Sequence, residues 1–230
     1  MPLRSIINLA ALLLTLAAPL AYAQPTPRPD EARTIGQVVP DVELTDDSGR
    51  VFALDSLAGK PVILSPVFTR CPHACQAITS SLRENLLAIG PPGDSYNVVT
   101  LTFDPADSLE VLREFRRNHD LPPAWIVARA EPAALDTLLG AIDFNYSPVA
   151  GGGFLHANIV AILTPDLRVS GYVYGIGYTE DELRQALLSA VTPDSLVDAF
   201  KPLIAAVAAL GLLVTLVVLW ATRKRQGNTA

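Results

Sequence analysis

Cysteine is nearly missing from this chain: 230 residues contain two, Cys71 and Cys75, and histidine is almost as scarce, with three. A four-ligand zinc site drawn from such a short supply of sulfur and imidazole is hard to assemble. Positive charge is also short, with Lys+Arg 17 against Asp+Glu 23 and a net charge of −6. No basic block exists except at the extreme C-terminus, so nucleic acid is an unsuitable partner. Internal repeats are absent. Charge is wholly lacking from two stretches, Ile6–Leu20 and Leu203–Ala221, and these set the organisation of the chain.

The first stretch follows a single basic residue, Arg4, and leads into "AYAQ" at Ala21–Gln24. A basic start, a short apolar core and a small-x-small site form a cleaved export signal over residues 1–23. The second stretch, residues 203–221, would rise about 28 Å as a helix, close to the hydrocarbon thickness of a bilayer. It is apolar on every face, which a buried soluble helix rarely is. Trp220 sits at its edge, and Arg223, Lys224 and Arg225 follow. The positive-inside rule keeps that basic tail, residues 222–230, in the cytoplasm. The expected arrangement is one C-terminal transmembrane helix in the inner membrane with the body on the periplasmic side. Residues 24–34, Pro-rich and polar, read as a flexible lead-in, and 192–202 as a short linker.

Between residues 35 and 191 strands alternate with helices. "DVELTDDSGRVFAL" predicts an N-terminal β-hairpin around Asp46-Asp47-Ser48-Gly49. "PVILSPVF" and "YNVVTLTF" are short apolar runs of the kind found in strands buried on both faces. Helices are expected from about Cys75 to Ile89, over Ser108–His119, over Glu131–Ile142 and over Thr179–Ala190. Further strands are expected at Ala124–Arg129, Asn158–Leu163 and Arg168–Gly175. This order gives an α/β fold, a thioredoxin-like sandwich.

The cysteines fall in "FTRCPHAC", after a buried strand and at the start of a helix, where open α/β sheets usually place their chemistry. Three uses compete. A structural disulfide is permitted by export, but it would close a very short loop, worth about 2 kcal/mol of chain entropy before strain. A redox-active dithiol would gain from the helix N-terminus, which favours a thiolate at Cys71 or Cys75; the spacing, however, is one residue longer than in C-x-x-C exchangers. A soft-metal site suits two thiolates and an imidazole, a donor set matched to Cu(I). Of the histidines, His119 in "FRRNHD" reads as a solvated residue or a partner of the helix C-terminus, and His73 as accessory. His156, in "GGGFLHANIV", follows a glycine run and precedes a buried strand.

Taken together, "FTRCPHAC", "TFDPADSLEVLREF" and "FLHANIVAILTPDLRVSGYVYG" resemble the Sco/SenC family of copper chaperones. Thr69, Cys71, Pro72 and Cys75 match its T-x-C-P-x-x-C motif. Asp104, Pro105 and Asp107 are similar to its D-P-x-x-D segment, one residue shorter. His156 matches its distal histidine. The resemblance implies a thioredoxin-like fold with a copper ion held by Cys71, Cys75 and His156. It further implies service to the dinuclear copper centre of cytochrome c oxidase, the copper-bearing subunit being the client. Oxidation of the pair would abolish binding, so a thiol reductant partner is expected as well. The protein is then a metallochaperone, the alternative being a membrane-anchored thiol-disulfide oxidoreductase with Cys71 and Cys75 as catalytic groups. Peroxiredoxins place a hydroxyl three residues before their cysteine, whereas Thr69 lies two before Cys71, so that match fails. Three departures stand out: His73 replaces a common acidic residue, "FLH" lacks the acid usual beside the distal histidine, and the anchor is C-terminal rather than N-terminal. Asp104 and Asp107 are expected to orient a loop or partner, or, for Asp107, to cap the following helix. Gly151, Gly152 and Gly153 would form a hinge for His156.

Overall fold

A computed structural model describes residues 28–72, 74–149 and 153–192, with positions 206, 207, 210, 211 and 215 beyond them. The export signal and the 203–221 span fall outside the described residues, apart from those five positions, which are helical. Among the described residues no helix is long and apolar enough to cross a membrane.

The chain begins with one helical turn, α1 (Glu31–Thr34), and the hairpin β1 (Glu43–Asp46) and β2 (Val51–Ala53). There follow β3 (Val62–Val67), α2 (Ala74–Ile89), β4 (Asn97–Thr102), α3 (Leu109–Asn118), β5 (Ile126–Arg129) and α4 (Pro132–Ala141). A small ribbon of β6 (Tyr146–Pro148) and β7 (Phe154–His156) precedes β8 (Ile159–Leu163), β9 (Val169–Tyr174) and α5 (Glu180–Val191). Seven strands form one sheet in the order β2-β1-β5-β4-β3-β8-β9, while β6 pairs only with β7. β3, β4 and β5 run parallel; the outer neighbours are antiparallel.

Every residue of β3 is buried, as its apolar run, interrupted at Ser65, requires of a strand covered on both faces. Pro66 is tolerated in this central strand because β8 pairs with β3 only from Val62 to Leu64, so no ladder bond to β8 is lost there. β3 therefore projects past β8, and its carboxyl end emerges beside β4 alone, in register up to Val67 opposite Thr102. Two successive right-handed crossovers stack α2 and α3 on one side of the sheet. The contact is visible in the bond from Arg83 Nε on α2 to the Asp120 carbonyl after α3, 3.1 Å. On its other flank α2 meets the start of α5, where the Tyr178 N–H donates to Ser81 Oγ at 2.7 Å. Trp125 is fully buried and its indole N–H donates to Thr100 Oγ1 at 2.9 Å, so its one polar atom is satisfied. The expected helix from Thr179 opens on a capping box, with Thr179 and Glu182 exchanging bonds.

One expectation is corrected and one element was not foreseen. The lead-in is not free from residue 28 onward: Asp30 caps α1, its N–H donates to Asp143 Oδ2 at 2.7 Å, and Arg33 pairs with Asp143 at 2.6 Å. No strand was foreseen between α4 and His156; there β6 and β7 pair as a small ribbon, with Tyr146 opposite His156.

Candidate metal and thiol site

Cys71 lies in the loop leaving β3, where its N–H donates to the Phe68 carbonyl at 2.9 Å and closes a turn. Gln76, in the first turn of α2, holds the loop from the other side by donating to the carbonyls of Thr69 (3.3 Å) and Cys71 (3.4 Å). Cys75 is fully buried on α2. Its sulfur accepts the Phe68 N–H at 3.4 Å and is close enough to Cys71 to share a hydrogen bond with it. No disulfide joins the two. Cys71 precedes the helix, so the turn that follows β3, and not an i, i+4 helical relation, brings the two sulfurs together. One is half-buried and the other closed off.

Burial pushes the Cys75 thiol up to about 12, the Phe68 N–H offsetting this only in part and the neighbouring Cys71 adding to it. The expectation that the helix N-terminus would make Cys75 a ready thiolate is therefore wrong: desolvation outweighs the dipole. A soft cation can still displace its proton, because metal coordination deprotonates thiols outright.

His156 ends β7, partly buried. Its Nδ1 lies 2.9 Å from the Ala157 carbonyl. A carbonyl only accepts, so Nδ1 carries a proton, which leaves Nε2 as the ring nitrogen that could ligate a metal. The ring packs edge-on against Phe103 at 5.2 Å and tilted against Phe144 at 5.5 Å. Phe154 touches both Phe103 (5.4 Å) and Phe68 (5.1 Å), the residue whose N–H holds Cys75. The Phe103 and Phe154 rings thus link the imidazole to Phe68 through one aromatic cluster. Among the described residues no group of three His, Cys, Asp or Glu side chains is gathered closely enough to hold a metal ion. The pair of sulfurs is brought together; the third expected donor is not gathered with them. His73 and the glycines at 151 and 152 lie outside the described residues, and Gly153 adopts φ +94°, a left-handed backbone open to glycine.

The two acids after β4 reach this loop. Asp107 is 3 % exposed and Asp104 5 %. Thr69 Oγ1 donates to Asp107, 2.8 Å from each carboxylate oxygen, and Thr102 Oγ1 donates to the same group. Arg70 pairs with Asp104. Asp107 does not cap α3; Ser108 does, accepting the Val111 N–H. Burial raises the Asp107 carboxyl above its ordinary value, and the Thr102 and Thr69 hydroxyls only partly restrain it. His119 is also corrected. It is 7 % exposed, stacks on Phe115 at 4.5 Å, and its Nε2 has no hydrogen-bond partner among the described atoms. Burial first, then Arg83, lowers its affinity for a proton, so it does not serve as a cation at the helix end. A cleft of about 310 Å³ separates α3 from the cysteine loop, lined by Thr69, Arg70, Gln76, Glu114 and His119 among others.

A thioredoxin-like sheet with two sulfurs in contact at the end of its central strand defines a thiol protein able to offer a soft ion two ligands. A sequence profile of the SCO1/SenC family matches residues 30–192, and the chain belongs to that family. Among curated proteins none matches. Of solved structures, a candidate electron transfer protein from Aquifex aeolicus VF5 is 41 % identical, with a TM-score of 0.66, covering 68 % of this chain and 94 % of that one. ScoI of Bradyrhizobium japonicum, solved with copper bound, is 21 % identical with a TM-score of 0.57, covering 67 % of this chain and all of the other. BsSco, described as having a disulfide switch and as belonging to the Sco family of cytochrome c oxidase assembly proteins, is 20 % identical with a TM-score of 0.58, covering 73 % and 98 %.

Proposed function

We propose that this protein carries copper outside the cytoplasm, tethered to the inner membrane by residues 203–221, and supplies it to the copper-bearing subunit of cytochrome c oxidase. The observation that carries the reading is the contact between the Cys71 and Cys75 sulfurs, one half-buried and one closed off, in a member of the SCO1/SenC family. Relatives solved with copper bound support the choice of metal. The donor set fits: two sulfurs and an imidazole able to ligate through Nε2 suit Cu(I), which accepts few soft ligands. Loading Cu(I) onto two thiols releases two protons, so uptake strengthens as pH rises. A site with one half-buried sulfur leaves a side open for exchange with a client. The tether raises the local concentration near a membrane-bound client, so a modest docking surface suffices.

The test is a competitive Cu(I) titration of the full chain in detergent. Cys71→Ser and Cys75→Ser should each lose the competition, and His156→Ala should weaken it. Equal competition by all four proteins ends the copper reading.

One observation favours a second reading, a thiol-disulfide oxidoreductase acting on client cysteines. Dithiol exchange needs only the two sulfurs that already meet, whereas among the described residues no third donor is gathered with them. His156→Ala separates the two functions, since an exchanger keeps its dithiol activity in that variant and a carrier loses copper affinity.

A further inference from the structure

Cys75 and Cys71 are held by different means. Cys75 sits on a packed helix with its sulfur against a backbone N–H. Cys71 sits on a loop, and the side chains of the two residues before it are each tied to the loop that follows β4. Thr69 donates to both oxygens of Asp107, and Arg70 pairs with Asp104. Because β3 and β4 leave the sheet side by side and in register, these ties cross a short gap between parallel strand ends. The second loop is itself made rigid. Thr102 Oγ1 donates to Asp107 while accepting the Asp104 N–H at 3.1 Å, and the Asp104 carboxylate accepts the Ala106 N–H at 2.9 Å.

Burying Asp107 is costly unless something requires it, and helix capping is not the reason, since Ser108 performs that task. Its carboxylate is spent on two hydroxyls, one of which belongs to the cysteine motif. We propose that Asp107, acting through Thr69 and seconded by the Arg70–Asp104 pair, is a positioning residue that fixes the Cys71 sulfur beside Cys75 and so sets the copper affinity of the pair. This deepens the copper reading and rests on it for its functional consequence. A ligand held in place before the metal arrives loses less freedom on binding. Partners behind the ligands are typically worth 10–100-fold in metal affinity.

The experiment compares Thr69→Val, which keeps the shape and removes the hydroxyl, with Thr69→Ser, which keeps the hydroxyl. Both are made in the full chain. Competition for Cu(I) against a chromophoric chelator should be about tenfold weaker for Thr69→Val and close to wild type for Thr69→Ser. Asp107→Asn should weaken binding similarly, and adding Thr69→Val to it should cost little more, because both remove one link. A thermal scan of each variant checks that the titrated protein is folded. Equal affinity for Thr69→Val and wild type overturns the proposal, as does equal weakening by valine and serine. Alkylation of Cys71 by iodoacetamide is read on the same proteins without metal. Thr69→Val should react several-fold faster and Thr69→Ser at the wild-type rate. If Cys71→Ser leaves Cu(I) binding intact, the copper reading fails on its own, and the alkylation rates alone decide whether the strap positions Cys71: faster reaction of the valine variant sustains it, unchanged rates end it.

Discussion

Two pairs of acids look alike in the sequence, Asp46-Asp47 in the first hairpin and Asp104/Asp107 after β4, and all four side chains are buried. They are satisfied in opposite ways. Asp47 receives a two-pronged guanidinium, Arg116 Nε at 2.6 Å and Nη2 at 2.7 Å, while Asp46 accepts from Ser48 and Arg50. Arg116 also donates to the carbonyls of Pro122 and Trp125, so one side chain pins the hairpin to the far end of α3. That is a structural clamp in which the carboxylate and the guanidinium are paired directly. Asp107, by contrast, is met only by hydroxyls on its carboxylate, and its counter-charge is one step away, on Arg70 against Asp104. Similar composition yields a fastener in one place and a lever on a reactive loop in the other. The difference lies in whether a guanidinium or a hydroxyl arrives from across the fold.

The comparison breaks most visibly at Arg116. Removing it leaves a buried carboxylate without its partner, and Arg116→Ala should destabilise folding by about 3 kcal/mol. Urea unfolding measures that loss, and Cys71 alkylation in the folded protein should stay at the wild-type rate. A change in alkylation would mean that the two acid pairs are mechanically linked. Next in size is Ser108→Ala, which removes the cap of α3 and should cost about 1 kcal/mol while leaving Cu(I) competition unchanged. Were Asp107 able to take over the cap, the loss would vanish.

The elements that sequence reading finds are those whose signals are local. The apolar runs of β3 and β4, the hairpin turn after Asp46, Pro132 at the first turn of α4 and the helix that starts after Thr179 are each visible within a few residues, and all are where they were expected. The cysteine pair could be picked out for the same reason, since it lies where a buried strand gives way to a helix. What escaped depends on partners far along the chain. Asp107 meets Thr69 from 38 positions away, Asp30 meets Asp143 from 113, and His119 is covered by the turn of α2 that carries Ser80, 39 positions earlier. A polar neighbourhood in sequence made His119 and residues 28–34 look solvated. The β6–β7 ribbon escaped because its glycines read as slack, whereas its real signal is the aromatic residues on either side, Tyr146 and Phe154, which pack at 5.4 Å.

The smallest effect is the most discriminating between the two acid pairs, because it reverses sign. Burial alone would raise the Asp46 carboxyl, but bonds from Ser48 and Arg50 outweigh it and bring it below its ordinary value of 3.8. Its contribution to stability is therefore present above that value and disappears as pH falls through the lower folded value. Asp107 is raised, with burial outweighing its two hydroxyl donors. Its contribution is complete below the ordinary carboxylate range and declines as pH climbs through the raised folded value. Unfolding free energies for wild type minus Asp46→Asn should accordingly grow with pH across the acid range and then level off, while wild type minus Asp107→Asn should shrink over a window that begins higher. Subtracting each variant from wild type cancels the other titrating groups, including His119, whose neutral burial costs stability as pH drops below its ordinary value of 6.5. Parallel slopes for the two differences would mean that Asp107 is held as firmly in its charged form as Asp46, and the loop before Cys71 would then be fastened rather than tuned.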